Sequence, residues 1–579
     1  MSAGLAASAG MDGATAPAWI APEADVGAAR ELALACGVGP ALAQVLLQRG
    51  MGEPEEARAY LDPRLGALSS PADMADRDVA ADRLARACRA GERVVVFGDY
   101  DVDGSTSAAI VADVLEALGA DVVAYVANRF QGGYGFSEPA LRKCLAASPG
   151  LIVTCDCGSS DHERIAMARA AGVDVIVVDH HLVPAEPLPA LAFLNPHRPD
   201  CGFAFKGMCS AGLAMSVGAA VRQALGAKLD LRAWLDLVAL GTVADVAPLR
   251  GDNRTLTRAG LRLLASRKAR PGVAALRENA RLRPGTPIGA HEIAFRLAPR
   301  LNAAGRLGDP TVTLDLLRAR SAPRARMLAA KIEQLNEQRK AIERRITEEA
   351  CAQVEAVYGR RPEHGVVVAQ EGWHRGVVGI TAARLVDRFH VPAVVIAMED
   401  GVGHGSGRTP DGFHLHRALS DCRALLLKFG GHAAAAGLTV EAPRLDALRA
   451  AFADVAPRDD AAAPTPEADV TLGGPLPLPG AEELRRLEPL GEGNPAPRFA
   501  LPDAEILDAR SVMDGQHLKL RVRFEGRVLS AFGRDMAHLL DEGIDEKGRR
   551  VTLLGPLRPD GWRGGDAIEM DVAHVLRAQ

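Results

Sequence analysis

The 579-residue chain is too long for one hydrophobic core, which sets an expectation of about two to four domains. With 48% apolar and 24% charged residues it reads as globular, and a formal charge of −5 excludes a surface that coats polyanions indiscriminately. A local basic groove stays compatible with that balance.

Nine cysteines show no paired spacing, and Cys155-Asp-Cys157 has no second half. Reduced, buried thiols are therefore expected in place of a disulfide scaffold or zinc ribbon. Residues 1–27, rich in Ala and Gly, read as a disordered N-terminus without the charged start and apolar run of a signal peptide. No stretch approaches the ~20 apolar residues of a membrane span, so a cytoplasmic protein free of the membrane is expected.

Residues 28–90 read as short helices with a turn around Leu61-Asp-Pro-Arg64. From Val94 the texture changes to apolar runs at 94–97, 122–126, 151–155 and 175–178, alternating with Ala-rich helical stretches. That alternation predicts an α/β domain built on a doubly wound, mostly parallel sheet. A largely helical stretch follows from about Ala211 to Ala319, and residues 321–357 repeat apolar positions every three or four residues, as one long connecting helix would. A second strand-helix-strand unit occupies 358–455, 456–468 reads as a linker, and 469–579 reads as a small β-barrel. Within that barrel, His517-Leu-Lys-Leu-Arg-Val-Arg-Phe524 alternates polar and apolar without a break.

The first strand runs into Asp99-Tyr-Asp-Val-Asp-Gly104, three carboxylates at alternating positions. A calcium loop of the EF-hand type would need an acidic ligand at its twelfth position, which is Ile110. A phosphatase with D-x-D after its first strand and a plain solvated acidic turn both survive this motif taken alone. Later runs deliver Asp156, then Asp179-His180-His181, and Leu237–Ala244 delivers Asp245. Ligands in open α/β sheets collect at the carboxyl ends of strands, so these side chains can converge on one crevice. Carboxylates with His and little sulfur suit Mn²⁺ or Mg²⁺, and two ions about 4 Å apart would orient a water for attack on phosphorus.

In this order, Asp-Tyr-Asp-Val-Asp-Gly, Cys-Asp-Cys-Gly158, Asp-His-His and Thr-Val-Ala-Asp245 resemble the four motifs of DHH-family phosphoesterases. Asn128-Arg-Phe-Gln-Gly-Gly-Tyr-Gly135, Pro299–Arg306, Gly430–Gly437 and Gly491–Pro495 extend the likeness to the bacterial single-strand-specific exonuclease branch, from about Leu61 to the terminus. The resemblance implies a DHH domain over 28–320 including the N-terminal helices, a DHH-associated domain over 358–455 and an OB-fold over 469–579. It implies two Mn²⁺ or Mg²⁺ ions held by Asp99, Asp101, Asp103, Asp156, His180 and Asp245, with Asp179 ligating or supporting. Of these, Asp101, Asp103, Asp156 and His180 are also assigned to catalysis, together with His181, which would contact phosphate or support the ligands. Phe97 stands where many relatives carry a His, a departure that implies metal sites of unequal strength and points away from the pyrophosphatase branch.

Arg129, in a Gly-rich turn, and Arg306, closing Asn302-Ala-Ala-Gly-Arg, could grip phosphate or make surface ion pairs, and the resemblance favours phosphate. The arginine-rich stretch from Arg254 to Arg306 reads either as solvated helix faces or as a phosphate groove beside the metals. Gly372-Trp-His-Arg-Gly376, Gly403–Thr409 and Gly430-Gly-His432 make His374, Arg375, Ser406, Arg408 and His432 substrate-facing candidates. Lys519, Arg521 and Arg523 share one strand face of the barrel, where they would follow a single strand without reading its sequence.

The expected protein is a metal-dependent 5′→3′ exonuclease on single-stranded DNA, acting in repair and recombination. It is expected as a monomer, with a single-strand-binding protein and a helicase as partners by family analogy. The alternatives are a phosphodiesterase acting on short oligoribonucleotides or cyclic dinucleotides, and a non-enzymatic replication scaffold that has lost its metal ligands.

Overall fold

The structure is a computed structural model that describes residues 19–132, 135–456, 465–546, 548–561 and 563–577. Of the N-terminus expected to be disordered over 1–27, residues 1–18 lie outside the described residues, as do linker residues 457–464. Residues 19–27 are ordered instead, since Ile20 bridges to Glu467 and a helix already starts at Val26.

The catalytic sheet has β1 (Arg93–Gly98), β2 (Asp121–Val126), β3 (Leu151–Cys155), β4 (Asp174–Val178) and β5 (Ala192–Leu194), in the order β2-β1-β3-β4-β5. Every pairing is parallel. β1 shows why its sequence is a continuous apolar run: Val94 and Val96 join the core on one face while Val95 and Phe97 join the core on the other. A strand covered on both faces needs no polar alternation. The chain leaves β1 towards β2 and returns on the other side to β3, which opens a crevice at the carboxyl ends of β1 and β3.

A helix, Val102–Ala117, starts in this crevice, capped by Asp101, whose Oδ1 accepts from Gly104 N–H at 2.9 Å. Its first turn lies against the end of β1 so closely that a Cβ on Gly104 would stand 2.5 Å from the backbone N and O of Asp99. Only glycine permits that approach, which explains the residue closing the D-x-D-x-D run.

Helices from Ser210 to Leu317 cover one face of the sheet, and a single 37-residue helix, Ala322–Tyr358, leads to the second lobe. There β6 (Val366–Glu371), β7 (Ala393–Glu399), β8 (Val402–Arg408), β9 (Lys428–Gly431) and β10 (Ala435–Glu441) form a mixed sheet in the order β6-β7-β8-β10-β9. β11 (Val470–Thr471), β12 (Arg498–Val512), β13 (His517–Phe524), β14 (Arg527–Gly533), β15 (Arg550–Pro559), β16 (Ile568–Val572) and β17 (His574–Arg577) make the third sheet. Pairing of β12 with both β13 and β15 closes it into a barrel. The doubly wound sheet, second α/β lobe and C-terminal barrel are those expected from the sequence.

The placement of the N-terminal helices is corrected. Val26–Cys36, Pro40–Gln48 and Pro54–Leu61 bury Leu32, Leu42, Val45, Leu46 and Leu61 in one core with Phe499, Leu518 and Val551 of the barrel, not against the catalytic sheet. The end of the expected linker is also ordered, with Ala468 N–H donating to Ile20 O at 2.9 Å. No single described helix is long and apolar enough to cross a membrane.

Three of the arginines between 254 and 306 are neither solvated nor phosphate-facing. Arg254 is buried and donates to the carbonyls of Tyr60, Leu487, Pro489 and Arg486 at 3.0–3.3 Å, and Arg258 donates to those of Arg486 and Glu488. Arg270 pairs with Asp236 at 3.1 Å and Asp113 at 3.5 Å. Arg254 and Arg258 hold the barrel's leading segment to the catalytic domain, Arg270 ties together helices within that domain, and so these three form no phosphate groove.

Candidate metal centre and phosphate cluster

Asp99 follows β1, and its N–H donates to Cys155 O at 3.2 Å, which continues the ladder one residue beyond the strands. Its carboxylate is fully buried, with Oδ1 3.4 Å from Gly135 N–H and Oδ2 without any hydrogen-bond partner. Burial, and then the charge of Asp101, hold it far above the usual carboxylate range.

Asp103, in the first turn of Val102–Ala117, accepts from Ser210 N–H at 2.8 Å and from Ala211 N–H at 2.9 Å. Both donors are free because they open the helix Ser210–Ala224. Ser210 Oγ donates to Asp156 Oδ1 at 3.0 Å, so one residue braces two carboxylates, Asp103 from a helix start and Asp156 from the end of β3. Asp156 itself sits at φ 62°, a left-handed backbone that turns its buried side chain back to the crevice.

Asp179 follows β4 and is saturated by donors, accepting from Ser159 N–H at 3.0 Å, His180 N–H at 2.8 Å and His181 Nδ1 at 2.7 Å. Burial works to raise it, but the hydrogen bond and charge of His181 and the Ser159 N–H bring it well below the usual range. The same pairing outweighs burial at His181 and lifts it to about 9, whereas burial and the His181 charge drop His180 to about 4.

His180 Nε2 lies 3.2 Å from Asp156, 3.6 Å from Asp245 and 3.9 Å from Asp103, and is buried without a hydrogen-bond partner. Asp245 arrives as the C-cap of the helix Leu235–Ala244. Two groups of donor atoms lie within 4.8 Å of one another, Asp103–His180–Asp245 and Asp156–His180–His181. In the second, His181 is already engaged by Asp179 and protonated at neutral pH, which leaves it to face an anion. A neutral imidazole among crowded carboxylates, with two orphaned donor atoms, fits hard divalent cations. Phe97 is buried and packs on Phe136 with ring centroids 5.2 Å apart, so that position holds hydrocarbon and offers no ligand.

The carboxylates should surrender protons when cations bind. Burial and then Asp101 push Asp103 to about 7, and burial with Asp103 and Asp101 pushes Asp245 to about 8. Both are largely protonated below those values, so affinity for Mn²⁺ is expected to fall as pH drops from 8 to 6, with release of roughly one proton or more per protein near pH 7. Calorimetric titration in buffers of differing ionisation enthalpy measures that release, and a buffer-independent heat would contradict it.

A second cluster stands beside the first. Arg129 donates to Tyr100 Oη at 3.0 Å, with its guanidinium 4.6 Å from that ring, and Tyr100 follows Asp99 directly. Arg306 donates to Gly376 O at 3.0 Å across the two lobes. Arg408, on β8, donates to Ser406 Oγ at 3.1 Å, and a Cβ on Gly379 would come within 2.9 Å of that Oγ. Burial, then Arg129, Arg339 and Arg408, pull Arg306 down to about 10. Among the described residues none of Arg129, Arg306 and Arg408 has a carboxylate partner, so the mutual repulsion awaits an anion.

Arg375 lies 4.8 Å from the Phe130 ring and His374 meets that ring edge-on at 5.8 Å, joining the lobes over the same region. His432 is exposed in the turn between β9 and β10, and among the described residues no hydrogen bond or ion pair ties its side chain to the arginines. Lys519, Arg521 and Arg523 share the outer face of β13 while Phe524 turns inward. Lys519 is held by Glu569 and Arg523 by Glu505, which leaves that face less cationic than the sequence suggests.

Comparison with known proteins fits this architecture domain by domain. The DHH family N-terminal domain matches residues 93–242, the DHHA1 domain 363–456 and the RecJ OB domain 477–574. The single-stranded-DNA-specific exonuclease RecJ of Dickeya dadantii is 37% identical over 565 residues, covering 92% of this chain and 95% of that protein. The chain belongs to the RecJ family. RecJ of Escherichia coli is 35% identical over 93% of this chain and 96% of its own, while the chain spans 66% of the Bacillus subtilis RecJ it matches at 34%. The crystal structure of Thermus thermophilus RecJ in complex with Mn²⁺ superposes with TM-score 0.78 at 30% identity, over 96% of this chain and 79% of that one.

Sequence reasoning missed Ser210 and Ala211, whose N–H groups hold Asp103, and Tyr100, which links Asp99 to Arg129. A helical stretch from about Ala211 was legible, but a backbone donor leaves no side-chain signature.

Proposed function

We propose that the chain is a metal-dependent exonuclease that degrades single-stranded DNA from its 5′ end by phosphodiester hydrolysis, in repair and recombination. The observation that carries this reading is the meeting of six aspartates and two histidines with a carboxylate-free arginine cluster one residue away. Asp99, Asp101, Asp103, Asp156, His180 and Asp245 would hold two Mn²⁺ or Mg²⁺ ions, with Asp179 fixing the histidines. Bound there, such ions supply charge neutralisation and an activated water for displacement at phosphorus.

The chain's own groups do the rest. Asp179 keeps His181 cationic at neutral pH, suited to a phosphodiester oxygen as charge develops. Arg129, Arg306, Ser406 and Arg408 take a terminal 5′-phosphate, which sets polarity, while His374 and Arg375 confine the strand at the lobe junction. His432 and the β13 face add weak backbone contacts. The resemblance alone supports a cytoplasmic monomer that works where a helicase and a single-strand-binding protein expose the strand.

Strands labelled at either end, with and without a 5′-phosphate, test the reading. The 5′ label is expected to appear first as mononucleotide. Arg408→Ala should raise KM for phosphorylated ends by about 10- to 100-fold, the worth of a charge-assisted hydrogen bond, and abolish preference for them. Equal use of both ends would defeat the assigned polarity.

A further inference from the structure

A cavity of about 890 Å³ lies outside the catalytic crevice, between the helix Pro271–Asn279, the loops on either side of it and the first turns of Ala322–Tyr358. Arg267, Arg281, Arg283 and Arg326 line it against one acidic residue, Glu278. All four arginines are exposed, and none has a carboxylate partner among the described residues. The adjoining cavity, about 600 Å³, offers an internal contrast. There Arg232 pairs with Asp230, Arg270 with Asp113 and Asp236, and Arg318 and Arg320 with Glu116. This fold supplies carboxylates where arginine is structural and omits them next door.

The rim is also built in advance. Buried Arg277 donates to Leu264 O at 2.6 Å, Ser266 O at 3.0 Å and Arg283 O at 3.0 Å, and Gly285 N–H donates to Ala265 O at 2.9 Å. The two arginine-bearing loops are thereby locked to each other. Concave walls of low polarity concentrate the field of uncompensated guanidiniums, which favours a polyanion over a lone ion.

We infer that this cavity is a second phosphate-binding site for single-stranded nucleic acid, engaging the backbone of a strand away from the end being hydrolysed. This rests on the single-strand reading above, and it assigns these arginines to affinity and not to chemistry.

The test compares the full-length protein with its Arg281→Gln/Arg283→Gln/Arg326→Gln variant, binding unlabelled-end oligonucleotides of increasing length in EDTA so that nothing is cleaved. Three lost phosphate contacts should reduce the slope of log affinity against log salt by about 2 for long strands. The wild type should also show a gain in affinity with length that the variant lacks, while both hydrolyse the shortest substrates at equal rates with Mn²⁺. Superimposable slopes and length series would overturn the inference. So would displacement by polyglutamate with no change in the DNA slope, which would give the cavity to an acidic protein. Failure of the wild type to cleave, with the slope difference and the length effect both present, would count against the nuclease reading alone.

Discussion

Replacing Asp103 by Asn is expected to remove hydrolysis almost completely while the protein stays folded. Asp103 accepts from two backbone donors, and His180 Nε2, which completes its ligand set, lies 3.9 Å away. A neutral amide keeps the volume but loses the charge, and its NH₂ must face a donor that a carboxylate oxygen accepted. Loss of the metal's several kcal/mol of transition-state stabilisation corresponds to a fall on the order of 10³-fold or more in kcat. Mn²⁺ titration by calorimetry should show weakened binding, and thermal unfolding in EDTA should stay within a few degrees of wild type. Activity within tenfold of wild type would mean that this carboxylate does not face the cations.

The largest effect on stability is expected at Arg254, far from the chemistry. Its guanidinium stacks 3.7 Å from the Tyr60 ring centroid and feeds four carbonyls, three of them in the segment 486–489 that leads into the barrel. Asn494 completes the junction, accepting from Arg49 at 2.6 Å and from Tyr60 Oη at 2.8 Å. Arg254→Ala would leave buried acceptors unpaired and a void beneath Tyr60, at a cost of about 3–5 kcal/mol. Arg254→Lys should rescue little of this, because a point-like ammonium cannot reach four acceptors in a plane. Denaturant unfolding measures the loss, and a change under about 1 kcal/mol would show that the junction holds by apolar packing alone.

These two residues mark what a sequence shows and what it conceals. Asp99, Asp101 and Asp103 were legible because an apolar run ending in alternating carboxylates signals a strand end, and parallel strands gather their ends in one crevice. Asp156, Asp179 and His180 follow by the same rule, so most of the candidate metal centre could be read directly. Arg254, Arg258 and Arg270 were not legible, because identity alone does not say whether a guanidinium faces solvent, an anion, a carboxylate or a row of backbone carbonyls. Arg254, Arg270 and Arg281 look alike in sequence and have three different environments.

The fold was legible where periodicity is local, as in β1 or the helix Ala322–Tyr358. The shared core of Leu42, Leu46 and Phe499 was not, since it joins segments more than 400 positions apart. Lys519 and Arg523 were placed on the correct face, yet their pairing depends on strand register, with Glu505 opposite Arg523 across β12 and β13 and Glu569 reaching Lys519 from β16 beyond β14.

The most direct test is anomalous diffraction at the manganese edge from crystals of this protein grown with Mn²⁺. Two peaks are expected in the crevice between β1 and β3, with Asp103, Asp156, His180 and Asp245 among the contacting side chains. Absence of peaks there at saturating Mn²⁺, or peaks only elsewhere on the surface, would contradict that expectation.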